Sequence, residues 1–244
     1  MKSFADLKAN ARSALLGRYS VLIGTGILAW LISTLIELPF SRMLEQGFYY
    51  IHIGRIIWAY TGMLFVGLIG SLFNIGITFM HMQAAKDVRP QFSDLLYPFR
   101  NRPDKFIGCE LILILISFVC TLPGAAVTVI ATFQEDTIDS LQFNPLLLVG
   151  IVLLTIGFII QIVLGFAFSQ ASYLLIDHPD YLVKEALLES LHLMKGRKMR
   201  YFLLQLSFIG FGLLGCLTLG IGFLWIIPYV AQTNTQFYLN LKEV

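Results

Sequence analysis

Charge is what this sequence has least of. Only 13% of its 244 residues are Asp, Glu, Lys or Arg, about half the quarter usual for a soluble domain. A globule of this length needs a charged shell, and there are too few charges here to build one. Cysteine is scarce as well. Cys109, Cys120 and Cys216 all lie inside apolar runs, an odd set without close CxxC spacing. That excludes a disulfide framework and a cysteine zinc site, leaving small apolar packing residues. The four histidines, His52, His81, His178 and His192, are scattered. There is no HExxH, no Walker A glycine loop and no GxSxG elbow, so no catalytic, cofactor-binding or metal-binding residue is expected, and no enzyme. A net charge of +2 implies no nucleic-acid partner. No small-x-small site ends the first apolar run, so no cleavable signal peptide is expected.

What is present is apolar surface. Apolar residues make up 57% of the chain, and mean hydropathy is +0.77. Such a chain hides its surface by facing lipid. Crossing a hydrocarbon core of about 30 Å takes about 20 helical residues, and residues 19–40, 56–82, 106–133 and 146–176 supply four such runs. A fifth, residues 201–231, would reach about 46 Å as one straight helix. It is interrupted at Leu219-Gly220-Ile221-Gly222, where a backbone turns readily. Division there gives two spans, 201–217 and 221–241. The expected fold is all-α: a single polytopic helical membrane domain over residues 1–244, with six transmembrane helices arranged as three hairpins.

Orientation follows from the basic residues. With the N-terminus inside, all but Arg42 and Arg55 of the 17 Lys and Arg fall in cytoplasmic segments, while the loop 134–144 carries Glu135, Asp136 and Asp139 and no base. The positive-inside rule then places both termini in the cytoplasm of a multi-pass protein. The inner segments resemble one another: Phe4-Ala5-Asp6-Leu7 leads to Gly17-Arg18-Tyr19, Phe92-Ser93-Asp94-Leu95-Leu96 to Arg100-Asn101-Arg102, and Ala186-Leu187-Leu188 to Lys195-Gly196-Arg197. A spacing of about ninety residues suggests three units of amphipathic segment plus helical hairpin. In the third, Val183, Leu187, Leu188, Leu191 and Met194 recur at helical steps, predicting an amphipathic helix over residues 180–195 with its start at Asp177 or His178 and its stop at Gly196. It either lies on the inner membrane surface or packs on the other inner segments. Lys195, Arg197, Lys198 and Arg200 at its end are candidate contacts for anionic headgroups.

Few polar groups enter the apolar runs. Glu110 and Glu37 lie near span ends, and Glu110 has Lys105 within reach. Met80-His81-Met82 offers soft copper ligands in principle and interfacial packing in practice. Gln161, Gln205 and the strip Gln232-Thr233-Asn234-Thr235-Gln236 lie deeper. Buried amides need partners, so Gln161, Gln205, Gln232, Asn234 and Gln236 form either an interhelical network or an inward-facing polar cavity. The shared face of Gln232 and Gln236 is expected to point at Gln161 or Gln205. Thr233 and Thr235 can satisfy their hydroxyls on their own helix. Four-residue steps of small residues, Thr25-Ala29-Ser33, Gly67-Ser71, Gly165-Ser169 and Ala167-Ala171, predict close helix contacts.

Residues 190–238 carry a more specific pattern: Ser190, Met194-Lys195-Gly196 with Lys198, Ser207-Phe208-Ile209-Gly210, Leu217-Thr218-Leu219-Gly220-Ile221-Gly222, Pro228-Tyr229 and Phe237-Tyr238. It resembles a family of bacterial integral membrane proteins catalogued as domain-of-unknown-function family 975. Asp94-Leu95-Leu96 with Phe99, and Leu122-Pro123-Gly124, fit the same family, while Arg197 and Phe211 stand where asparagine and tryptophan are usual. The resemblance implies a multispanning helical protein and brings no reaction or ligand. The expected function is a non-enzymatic structural or accessory component of the bacterial plasma membrane. Its expected partners are membrane lipids, through their anionic headgroups, or a membrane-protein partner. The alternative is a small transporter or exporter component using the polar residues above.

Overall fold

The apolar runs fold as helices, and so do the segments between them. The computed structural model describes residues 1–49, 52–133 and 144–243; all of the predicted outer loop 134–144 but Asn144 lies outside them. The elements are α1 Phe4–Leu15, α2 Tyr19–Tyr49, α3 Ile53–Ala85, a 3₁₀ turn Phe92–Leu96, α4 Tyr97–Arg100 and α5 Pro103–Phe133. There follow α6 Pro145–Phe168, α7 Ala171–Asp177, α8 Val183–Leu193, α9 Lys198–Leu206, α10 Ile209–Leu217 and α11 Phe223–Lys242. No strand occurs among the described residues.

Five stretches are long and apolar enough to cross a membrane: Tyr19–Gly47, Ile53–Ala85, Pro103–Thr132, Pro145–Asp177 and Lys198–Leu217. The protein is a multi-pass membrane protein. Its α2 and α3 pack along each other, as do α5 and α6. The second pair fits closely because glycines face backbone. A Cβ on Gly124 would collide with Leu154, one on Gly150 with Thr128 and one on Gly157 with the Cys120 carbonyl. The steps expected to do this work only partly do it. Ala29, Ala167 and Ala171 are buried, but Gly67 and Gly165 face open space. Only 6% of the apolar window of α5 is buried inside the protein, against 33% for α3. The α5–α6 pair therefore lies at the lipid-facing periphery, and α3 nearer the centre.

Helix α11 differs from the other long helices. The polar strip keeps it out of the apolar set above, and the protein packs around it instead. Pro228, Tyr229, Gln232, Thr233, Thr235, Phe237, Tyr238, Asn240 and Leu241 are buried, against α1, α2, α3 and α10. The turn before it has Leu219 at φ +54° and Gly220 at φ +90°, and the Gly222 N–H donates to the Thr218 hydroxyl at 2.8 Å.

Short helices form a layer at one end of the bundle, and their chemistry repeats. The Ser3 N–H donates to Asp6 (3.0 Å), the Gln91 N–H to Asp94 (2.8 Å) and the Leu182 N–H to Glu185 (2.7 Å). Each acid, three residues into its segment, closes a helix start. In α1 the Ser3 hydroxyl and N–H hold Asp6 below the usual carboxylate range. The same contact corrects the third segment: α8 is capped at Leu182, not at Asp177 or His178, and ends at Leu193. Behind each cap an apolar residue is buried: Leu7, Leu95 and Leu187. Before the next long helix each unit places one residue in the left-handed region, Gly17 at φ +74°, Arg102 at φ +54° and Gly196 at φ +71°.

This layer packs on protein. Leu7, Ala11 and Leu15, on one face of α1, are fully buried, mostly against α11, each leucine contributing about 1.5–3 kcal/mol. Lys8 donates to the Ser207 carbonyl at 3.3 Å and lies 4.4 Å from the Phe208 ring centroid; burial pushes its ammonium pKa down. The 3₁₀ turn presses so closely on α3 that a Cβ on Gly76 would collide with the Leu95 carbonyl. Helix α8 buries Ala186, Leu187 and Ser190 against α5, α6 and α7, leaving Leu188 exposed. Ser190 has a specific task there. The α6–α7 break frees backbone groups, and the Ser190 hydroxyl donates to the Ala167 carbonyl (2.8 Å) while accepting from the Gln170 N–H (3.2 Å).

Candidate functional site

The polar residues predicted as one group sort into three separate pairs. Gln161 donates to the Ser117 hydroxyl at 2.7 Å, joining α6 to α5. Gln205 donates to the Asn234 side-chain carbonyl at 2.8 Å, joining α9 to α11. Gln232, fully buried, faces His81 of α3: its amide nitrogen donates to the His81 carbonyl (3.2 Å) and its amide oxygen lies 2.7 Å from His81 Nδ1. Because a carbonyl only accepts, the amide nitrogen must face it, so Nδ1 carries a proton and donates to the amide oxygen. The expected orientation of Gln232 toward Gln161 or Gln205 is thus corrected. Two residues along a helix are about 200° apart, which turns Asn234 to α9 and Gln232 to α3. Gln236 is half-buried one turn further on. Thr233 and Thr235 donate to the Tyr229 and Ala231 carbonyls of their own helix, at 2.8 and 3.1 Å.

Around these pairs the cavities are local. Gln161 and Ser117 border one of about 270 Å³ with Ser169 and Ser172. His81 and Asn74 border an apolar groove of about 400 Å³ between α2, α3 and α11. Sequence reasoning missed His81 as Gln232's partner, reading Met80-His81-Met82 as interfacial. All three are buried, with Met80 and Met82 in different apolar clusters, so they do not converge as ligands. No group of three or more His, Cys, Asp or Glu side chains placed to hold a metal ion occurs among the described residues.

A polar cleft lies at the end of the bundle occupied by the short helices. It holds about 520 Å³ between α7, α8 and α11, bordered by His178, Tyr181, Glu189, His192, Lys195, Arg197 and Lys242, with Leu174, Leu193 and Leu241 beneath. One wall is fixed by Asp177, which accepts from Lys242 at 2.5 Å, Lys86 at 3.3 Å and the Tyr238 hydroxyl at 3.1 Å, tying α7 to α11 and α3. His178 stacks on Tyr181 with ring centroids 4.8 Å apart. Lys242 is paired with Asp177, so the cleft's open positive charge is that of Lys195 and Arg197 against Glu189, a surface suited to an anion.

The four basic residues expected to meet headgroups divide by location. Lys195 is exposed and lines the cleft beside Arg197, whose guanidinium donates to the Leu241 carbonyl at 3.4 Å. Lys198 follows, half-buried. Arg200 is committed inside the protein: it donates to the Lys2 carbonyl, approaches the Met1 sulfur at 2.8 Å and lies 5.5 Å from the Phe4 ring. Lys242, absent from the expected set, joins the cleft because α11 ends there. Lys105 does not pair with Glu110; its ammonium donates to the Pro179 and Tyr181 carbonyls at 2.5 and 2.8 Å.

No curated protein and no solved structure matches the chain. A family model does. The pattern read over residues 190–238 is the end of a match that extends over residues 1–244, and the chain belongs to the family described as protein of unknown function (DUF975).

Proposed function

We propose that the protein is a non-enzymatic structural or accessory component of the bacterial plasma membrane that holds anionic lipid headgroups at its cytoplasmic face. In this reading α11 is the sixth span, the six spans form three hairpins, and both termini are cytoplasmic. The observation that carries it is the cleft between α7, α8 and α11, where Lys195, Arg197 and Lys242 converge at the end of the bundle that the charge asymmetry assigns to the cytoplasm. Lys198 extends the basic surface, and Arg200 holds α1 beneath it. A transport role asks for the polar side chains to share one wetted path. Their distribution over separate interhelical pairs, each beside its own local cavity, favours the structural reading instead.

The test is the lipid that accompanies the protein. After extraction in mild detergent, anionic phospholipid should be enriched over the bulk membrane composition. A Lys195→Gln/Arg197→Gln/Lys198→Gln variant should lose that enrichment, at about 1 kcal/mol, or fivefold, per base removed. Equal lipid composition for variant and wild type would refute the reading.

A further inference from the structure

We propose that a second cavity, bordered by α4, the start of α5, and α7 with the loop after it, is a binding site for a phosphate group. It stands on residues different from those of the headgroup cleft above and does not depend on that reading. The cavity holds about 240 Å³, and its polar border is Tyr97, Arg100, Asn101, Arg102 and Lys105. Three cations and no carboxylate line it.

Lys105 is the anchor. Its residue is only 7% exposed, and its ammonium is held by the Pro179 and Tyr181 carbonyls, 2.5 and 2.8 Å away. Two carbonyls solvate a cation without neutralising it. Among the described residues no carboxylate lies within 4.0 Å of this ammonium, nor does either arginine make an ion pair. Charge buried in this way is costly unless an opposite charge comes near. Among the described residues none supplies that charge, which points to an anion from outside the protein.

Arg102 adds an independent sign. In the first and third repeated units, the left-handed residue before the long helix is glycine, Gly17 and Gly196. In the second unit it is Arg102, at φ +54°. An L side chain is strained in that conformation where glycine is not; Asp87 and Leu219 share it, at φ +62° and +54°, but of the three only Arg102 borders this cavity. It shares that border with Arg100 and Lys105. Guanidinium groups bind phosphate oxygens in pairs, and a lysine supplies a point charge to the same anion. Tyr97 and Asn101 add neutral polar residues to the border, the Asn101 amide also donating to the Tyr97 carbonyl at 3.0 Å. Basic pockets between membrane helices near the inner surface commonly hold lipid phosphates, and a soluble phosphate presents the same oxygens.

The experiment uses the full chain in nanodiscs of phosphatidylcholine, whose choline cation disfavours so basic a cavity. In one arm phosphatidylglycerol is doped in and the lipid retained by the released protein is measured by native mass spectrometry. In the other, inorganic phosphate alone is titrated and thermal unfolding is followed. Arg100 and Arg102 are exposed, so an Arg100→Gln/Arg102→Gln variant should fold; wild-type unfolding temperature without ligand verifies this. The expected result is a loss of about tenfold or more in ligand preference on removing the two arginines, with Lys195→Gln/Arg197→Gln/Lys198→Gln retaining it. Loss in the first arm identifies a lipid phosphate, and loss in the second a soluble one. If the arginine variant matches wild type in both arms, the proposal is overturned, whatever becomes of the headgroup cleft.

Discussion

A glutamine inside a membrane bundle has two polar ends to satisfy, and Gln232 satisfies both on His81. Removing one partner leaves the other buried and unpaired, at about 1–3 kcal/mol; removing both with apolar residues of similar size costs less than the two singles together. A double-mutant cycle of His81→Leu and Gln232→Leu, read by thermal unfolding, should therefore show a favourable coupling of about 0.5–3 kcal/mol. Strict additivity would mean that the two side chains do not interact. The glutamine was legible in the sequence as a polar residue in an apolar setting. Its partner was not, because His81 stands alone in its run, 151 positions away. Helical period tells which residues share a face, but not which neighbour that face meets. The same limit hid Ser190, whose hydroxyl serves a helix break in another segment.

At the scale of elements, turn chemistry was readable because it is local. Leu219-Gly220-Ile221-Gly222 marks a turn in the sequence, and the structure gives its two glycines different reasons to be there. Gly220 has a positive φ with open space around it, whereas a Cβ on Gly222 would come within 2.7 Å of the Thr218 hydroxyl. Gly220→Val is expected to lose about 1–3 kcal/mol through backbone strain. Gly222→Val should lose stability by displacing Thr218 from its 2.8 Å contact with the backbone. Gly212→Ala, at an open helical position, should change the unfolding temperature little. Wild-type stability in both turn variants would show that the turn accommodates side chains. Element ends that depend on tertiary contacts were less legible. Asp177 looked like a helix cap in sequence, yet its carboxylate is taken by Lys86, Lys242 and Tyr238, and Glu185 closes α8 from within instead.

For the molecule as a whole, class and membrane character follow directly from composition, and the threefold recurrence of the short segments was visible as spacing. For the third segment the sequence left two places open, the lipid surface or the other inner segments, because either would bury the same face. The structure packs α8 on α5, α6 and α7 instead, a contact that helical period alone does not specify. The proposed orientation is testable with single cysteines at Glu45 and Ser93 in a protein whose Cys109, Cys120 and Cys216 are alanine. An impermeant reagent applied to intact cells should label the first and not the second; labelling of Ser93→Cys from outside would reverse or break the topology. The docking of α1 on α11 has a consequence in time. Residues 4–15 emerge from the ribosome early, but the surface that receives Leu7, Ala11 and Leu15 is made about two hundred residues later, on the order of 10–40 s at ordinary synthesis rates. Throughout that interval the first helix is an unmated amphipathic segment beside the membrane, and final closure of the bundle comes only once α11 has been made.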